Sequence, residues 1–266
     1  MARFLSALMV VLSGATVVAA QSSPFPPPIS LDSSRPEPLV EREGTSAWEM
    51  LPFELTRDAE RLVRITSQDK KRHERLRKEA GMKMVKIFSA PSCASKRYVV
   101  DVSDENCLSG ADLIRTSFYS LARGLYGESL ADVRIIGQEL HVGNEGLHHG
   151  MIMDLGPISP AAFDSKGMEL TAVKGVETAG TFEEEVSIRE KIKAGFEVDG
   201  RRIASSMALT RGHTYLVRLV NYSFKGGSRN IFQRDVVYLL HLAELNRDRT
   251  ALFLWRKLSD KPAPRL

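Results

Sequence analysis

Four apolar segments near the C terminus constrain the fold of this chain more than any other feature. In the second of them, Tyr215 and Val217 share one face while Arg218 points to the other, as in a β-strand. The run VVYLLHL in the third is apolar on both faces, which is typical of a strand covered on each side. Together the segments predict an antiparallel C-terminal meander. They are RRIASSMAL (201–209), HTYLVRLVNYSF (213–224), RDVVYLLHLAEL (234–245) and TALFLWRKL (250–258).

The residues upstream of the meander show the same period of two, broken by turn residues. The predicted fold class is therefore mainly β, with antiparallel sheets arranged as a β-sandwich, and α+β as the alternative. The upstream segments predicted as strands are MKMVKIFS (82–89), RYVVDV (97–102), DLIRTSFYSL (112–121), ADVRII (131–136), QELHV (138–142), LHHGMIMDL (147–155) and MELTAVK (168–174).

Two segments have a helical pattern instead. Residues 57–80 predict one N-terminal helix, capped by Thr56, whose second half is nearly all charged and faces solvent. Residues 182–194 predict one helix inserted between strands. Thr181 and Glu184 have the spacing of a capping box, in which each side chain binds the backbone N–H of the other residue.

The N-terminal residues predict export. The first twenty, MARFLSALMVVLSGATVVAA, have a basic Arg3, a short apolar run and small residues up to Ala20, the pattern of a secretory signal peptide. Residues 21–45 contain six prolines among serine and charged residues, and they predict a disordered tether. Residues 46–266 then form a β-rich globular region, either one domain or two subdomains divided near residues 160–200. We expect a periplasmic or secreted protein with no transmembrane anchor after cleavage.

The net charge bears on which partners the protein binds, and the two cysteines bear on its redox chemistry. The net charge of +4, from 37 basic and 33 acidic residues, permits weak attraction to an anionic envelope polymer but is no nucleic-acid footprint. The only two cysteines are Cys93 and Cys107. An isolated even pair in an exported chain predicts a disulfide, and the C-x-x-C spacing of a redox pair is absent.

The stretch ELHVGNEGLHHGMIMDLG places three histidines close together in residues 139–156. Its GNEG turn predicts a β-hairpin in which His141 lies beside His148 while His149 faces the core. Glu139 is two residues before His141 and shares its face of the strand. His141, His148 and Glu139 are therefore one candidate, a three-ligand zinc site. The alternative, which we favour, is a solvated pair of strands that binds zinc only weakly.

Sequence motifs of catalysis are missing. H-E-x-x-H, G-x-S-x-G, a Walker loop and G-x-G-x-x-G do not occur, so zinc is the one cofactor considered. The leading hypothesis is a non-enzymatic binding or structural module that acts on an envelope polymer or a protein partner. The alternatives are a metal-binding protein and a hydrolase with dispersed catalytic residues. A pocket that joins His148, His149 or His213 to a buried carboxylate would favour the hydrolase.

Finally, SFYSLARGLYGESLADVRIIGQELHVGNEGLHHGMIMDLG, followed by LTRGHTYLVRLVNYSF and LFLWRKL, resembles a group of exported bacterial proteins that have no assigned function. The resemblance covers about residues 112–258. Its shared features are an aromatic strand, an Ala-Asp strand start, a G-x-T-Y-x-x-R strand and a helix rich in Glu and Arg. These are features of β architecture, so the resemblance implies an envelope module and supplies no active site.

Overall fold

The computed structural model describes residues 55–90, 115–127, 131–143, 148–164, 167–223 and 233–266, all of which belong to one unit, Met50–Leu266. The predicted signal peptide (1–20), the tether (21–45), and Cys93 and Cys107 lie outside the described residues, as does the predicted strand 97–102. Among the helices of the described part, none is both long enough and apolar enough to cross a membrane.

The described strands form two antiparallel sheets. A seven-stranded sheet has the order β1-β12-β11-β10-β6-β8-β7, and a five-stranded sheet has the order β3-β2-β4-β5-β9. The strands are β1 (Lys83–Phe88), β2 (Phe118–Ser120), β3 (Leu125–Tyr126), β4 (Val133–Ile136), β5 (Glu139–Val142), β6 (His148–Asp154), β7 (Phe196–Val198), β8 (Arg201–Ala204), β9 (Ser206–Ala208), β10 (Thr214–Asn221), β11 (Arg234–Leu245) and β12 (Thr250–Pro262).

The predicted mainly β fold class is confirmed, and so is the meander for its last three segments. The first segment, residues 201–209, is not part of the meander, because it divides into β8, which pairs with β6, and β9, which pairs with β5 in the other sheet. Strands β10, β11 and β12 are consecutive neighbours, with Leu216 opposite Leu239 and Leu240 opposite Trp255. Because side chains alternate, the seven-stranded sheet has an inner face toward the five-stranded sheet and an outer face away from it. Tyr215 belongs to the inner core with residues of both sheets, whereas Leu216 belongs to a second apolar cluster on the outer face. The sheet is thus buried on both sides.

Three of the described helices pack on the outer face. The described helices are α1 (Arg57–Val63), α2 (Ser67–Arg72), α3 (Glu74–Glu79), α4 (Met168–Gly175) and α5 (Phe182–Ala194). Leu170 of α4 and Ile192 of α5 pack in the outer cluster with Leu76 of α3. Helix α2 is tied to strand β1 by a buried ion pair in which Nζ of Lys86 lies 3.0 Å from Oδ2 of Asp69.

The single N-terminal helix predicted for residues 57–80 is wrong, because the segment forms three short helices. Thr56 caps α1 as expected, but Arg64 is extended and Thr66 starts a new helix. The Thr66 hydroxyl accepts from the Asp69 N–H, and the Asp69 carboxylate accepts from the Thr66 N–H. This local capping box satisfies backbone groups that a continuous helix would otherwise use, and so divides the segment.

The prediction of a single inserted helix is also wrong. Residues 168–174, predicted as a strand, form helix α4, because Leu170 and Val173 are three residues apart and both face the outer cluster. The second inserted helix, α5, has the predicted residues 182–194. Thr181 accepts from the Glu184 N–H as expected, whereas the Glu184 carboxylate binds the N–H of Gly180.

The predicted histidine hairpin is wrong. Strand β5 places His141 opposite Arg134 and Ser206 in the five-stranded sheet, whereas β6 places His148 opposite Asn221 in the seven-stranded sheet. Three consecutive residues of β6, Met151, Ile152 and Met153, are fully buried. A strand buried on both faces belongs inside a covered sheet, not in a hairpin with one solvated face. The expectation that His149 faces the core is confirmed, since it is 2% exposed.

Two glycines let the chain pass from one sheet to the other. Gly143 follows β5 with a φ of +80°, and Gly150 lies in β6 directly against it. A Cβ added at Gly150 would lie 2.5 Å from the Gly143 nitrogen and 2.6 Å from the Val142 carbonyl carbon. The two backbones therefore touch, and only glycine fits.

We predict that Gly150→Ala lowers the free energy of unfolding by about 2–3 kcal/mol, because the added methyl meets backbone atoms that cannot turn aside. The control is Gly175→Ala in α4, where a Cβ would have no heavy atom within 4 Å. This control should be neutral or stabilising by up to about 1 kcal/mol. Chemical denaturation measures both, and equal midpoints for Gly150→Ala and the parent would contradict the close contact.

Candidate functional site

The predicted zinc site loses the cross-strand pairing on which it depended. Glu139 and His141 remain in contact, with Oε2 3.4 Å from Nε2. Burial, helped by the Arg134 charge and opposed by Glu139, lowers the pKa of His141. Burial also lowers the pKa of His148 against the opposing bond from Asn221. In the described part of the chain, no three His, Cys, Asp or Glu side chains are grouped so as to hold a metal ion.

The most elaborate polar arrangement is centred on Arg218, which is 1% exposed on the outer face of β10. Its Nε and Nη2 donate to the two carboxylate oxygens of Asp235, each at 2.8 Å. Its Nη1 donates to carbonyl oxygens at the end of α4, those of Val173 (2.9 Å), Lys174 (3.2 Å) and Val176 (2.6 Å). A buried guanidinium is thus satisfied by a carboxylate and by a helix C-terminus, which carries a partial negative charge.

Asp235 stays ionised in this environment. Burial by itself would raise the pKa of Asp235, but the bonds and charge of Arg218 outweigh it, with help from Lys261 at 3.2 Å, and the pKa is lowered. The pair therefore carries opposite charges at neutral pH. Because both members are saturated by protein groups, the arrangement is suited to holding α4 in place and not to reacting with a substrate.

His149 and Tyr222 form a second buried polar group beside Arg218. The Tyr222 hydroxyl lies 3.4 Å from Nε2 of His149 and accepts a hydrogen bond of 2.9 Å from the Ala179 N–H. Burial and the Arg218 charge lower the pKa of His149 to about 4, and burial raises the pKa of Tyr222 to about 12. Both side chains are neutral at physiological pH, so neither is tuned for proton transfer there.

His213 makes the most enzyme-like contact of the described residues. Its Nδ1 lies 2.9 Å from Oδ2 and 3.2 Å from Oδ1 of Asp154, and both side chains are about one quarter exposed, at 24% and 28%. With Nδ1–H donating to the carboxylate, Nε2 is free to accept a proton. The hydroxyl of the neighbouring Thr214 bonds Nδ1 of His241 instead, at 2.9 Å.

A cleft of about 490 Å³ opens between α4, α5 and the edge strand β7. Its size lies within the roughly 300–1,000 Å³ of small-ligand sites, and its walls are mostly apolar, as such sites require. At the rim, the Nζ of Lys191 lies 4.8 Å from the centre of the Phe196 ring, a cation–π contact. The lining residues are Ala172, Gly175, Val176, Glu177, Ile188, Lys191, Ile192, Phe196, Glu197 and Val198.

Sequence reasoning missed the cleft because it predicted α4 as a strand. One wall depends on α4 and Val176, whose position is set by the bond to Arg218 from a strand some forty residues later. The other wall, α5, was predicted correctly. The signal that could have identified α4 is the spacing of Leu170 and Val173, which suits one face of a helix better than a strand.

No protein-family model, no curated protein and no solved structure matches this chain. The function must therefore be argued from the site geometry.

We predict that Arg218→Leu lowers the free energy of unfolding by about 3–5 kcal/mol, because it leaves the Asp235 carboxylate buried without its main partner. The double variant Arg218→Leu, Asp235→Leu should recover part of this loss. The control is Arg234→Ala, which breaks the surface ion pair with Asp260 and should cost below about 1 kcal/mol. Urea denaturation at pH 7 measures all three variants. A free energy of unfolding for Arg218→Leu that is no lower than that of Arg234→Ala would contradict the account.

The same pair predicts a pH dependence. Because the pKa of Asp235 is lower in the folded than in the unfolded protein, its contribution to stability is present above the unfolded pKa. It is lost as the pH falls through the folded pKa. The double variant should therefore lose less stability than the parent on acidification.

Proposed function

We propose that this protein is an exported, non-enzymatic binding module whose ligand site is the cleft between α4, α5 and β7. The observation that carries the proposal is the apolar lining of the cleft at a volume of about 490 Å³. Export is supported by the signal-peptide pattern of residues 1–20. The expected product in the periplasm or medium begins at Gln21, and intact-mass spectrometry of that fraction tests this.

The lining suggests the chemistry of the ligand. Aliphatic and aromatic side chains such as Ile188, Phe196 and Val198 form the walls, so the ligand presents an apolar body. Two exposed carboxylates at the rim, Glu177 and Glu197, outnumber the one ammonium group of Lys191 and favour a positively charged group at one end of the ligand. The envelope ligand that fits is an amphipathic molecule or segment with an apolar chain and a cationic group.

Titration with N-phenyl-1-naphthylamine, a neutral apolar fluorophore, tests the cleft. We expect a saturable rise in fluorescence that dodecylammonium reverses at lower concentration than dodecanoate. Gly175→Leu should weaken binding at least about tenfold, which corresponds to 1.4 kcal/mol, because the new side chain enters open space in the cleft. The matched control, Gly180→Leu, places the same side chain outside the lining and should bind as the parent does.

Two outcomes would contradict the binding proposal. One is fluorescence that rises without saturation, which would indicate adsorption. The other is undiminished binding in Gly175→Leu, which would move the site elsewhere on the protein.

The contact between Asp154 and His213 supports a second candidate, a hydrolase in which His213 activates water as a general base. If the protein is a binding module, the parent and His213→Ala should release nitrophenol from p-nitrophenyl esters and phosphates at the same background rate. If the protein is a hydrolase, the parent should release nitrophenol at least about a hundredfold faster than the background rate. Most of that rate should be lost in both His213→Ala and Asp154→Asn. A panel of such substrates distinguishes the two functions.

A further inference from the structure

The helices on the outer face divide into two surfaces of opposite charge. The first, called here the cationic half, comprises residues 55–80 with α1, α2 and α3, and has nine basic against five acidic residues. The second, called the acidic half, comprises residues 168–199 with α4, α5 and β7, and has eight acidic against four basic residues. Their formal charges are equal and opposite.

Much of this charge is left over after local pairing. In the cationic half, the exposed side chains of Arg57, Arg61, Lys70 and Lys71 make no ion pair with any described residue. In the acidic half, the exposed carboxylates of Glu177, Glu183 and Glu197 make none either. These charges are therefore available to a partner.

The two halves lie on the same face of the seven-stranded sheet. Leu76 of α3 and Ile192 of α5 pack in the same outer cluster. Helix α1 contacts β1 and α5 contacts β8, near the two ends of the strand order. The exposed charges named above form no ion pair between the two halves of one molecule. The halves consequently do not neutralise each other within one molecule.

From this placement we propose that a second copy of this chain binds the outer helical layer, forming a two-fold dimer in which the cationic half of each copy meets the acidic half of the other. A two-fold axis makes the favourable contact twice and closes the assembly, as in most homodimers. Exposed apolar side chains in the acidic half, Met168 at 73% and Phe182 at 48%, would gain burial in such a contact. The dimer does not depend on what the cleft binds.

The test is the mass of the purified chain by multi-angle light scattering and sedimentation. We expect twice the monomer mass at about 0.02 M salt and the monomer mass at about 0.5 M, because the attraction is screened. Lys70→Glu with Lys71→Glu should be monomeric at low salt, and so should Glu177→Lys with Glu183→Lys. A control with the same change in net charge as the lysine variant, Arg211→Glu with Arg247→Glu, alters exposed residues outside the helices and should remain dimeric.

Mixing the two monomeric variants is the decisive arm. In the mixed pair, the unaltered cationic half of one copy meets the unaltered acidic half of the other, and the two altered halves, each of zero formal charge, meet in the second contact. The attraction that each variant lacks alone is thus regained in one contact. We expect the mixture to return to the dimer mass, which also proves that each variant is folded. A parent that is monomeric at low salt, variants that remain dimeric, or a mixture that remains monomeric would each overturn the proposal.

Discussion

The buried guanidinium of Arg218 is the interaction on which the outer layer of this protein depends. A charge cannot be removed from water unless its donors are satisfied, and Arg218 finds its acceptors in two places, Asp235 on the next strand and the carbonyls that end α4. The helix must therefore end at this point above the sheet. The position of α4 in turn sets one wall of the cleft, so the candidate binding site follows from the need to satisfy one buried charge.

The two faces of the seven-stranded sheet have different roles. The inner face is filled with apolar side chains that pack on the five-stranded sheet, and the close contact of Gly143 with Gly150 holds the two sheets together where the chain crosses. The outer face combines apolar packing with the polar groups of Arg218, Asp235 and His149. The outer layer also contains the cleft and the charged helices, so both proposals of binding concern this layer.

The sequence predicts well the parts that depend on local alternation. The meander follows from residues such as Tyr215 and Val217, whose spacing of two decides which face they share. The helix at residues 182–194 follows from its cap at Thr181 and its end at Gly195. The sequence also places Arg218 on the opposite face from Tyr215, as observed.

The failures occur where distant residues decide the structure. The alternation in residues 139–154 does not reveal that β5 and β6 join different sheets, because their partners include β9 and β10, which lie far along the chain. Helix α4 and the cleft require Arg218 as a partner far along the chain. The contact between Asp154 and His213 joins the end of β6 to the residue before β10, which are separated in the chain by both inserted helices, and no spacing rule connects them.

Hydrogen exchange on Arg218→Lys tests the central role of the guanidinium most directly. Lysine keeps the positive charge but lacks the planar guanidinium group, whose several N–H donors reach Asp235 and the end of α4 together. If Arg218 holds α4 on the sheet, the amides of Met168–Gly175 should lose protection by a larger factor than those of β11 and β12. Protection that is unchanged in α4, or that falls equally in α4 and the central strands, would contradict this account.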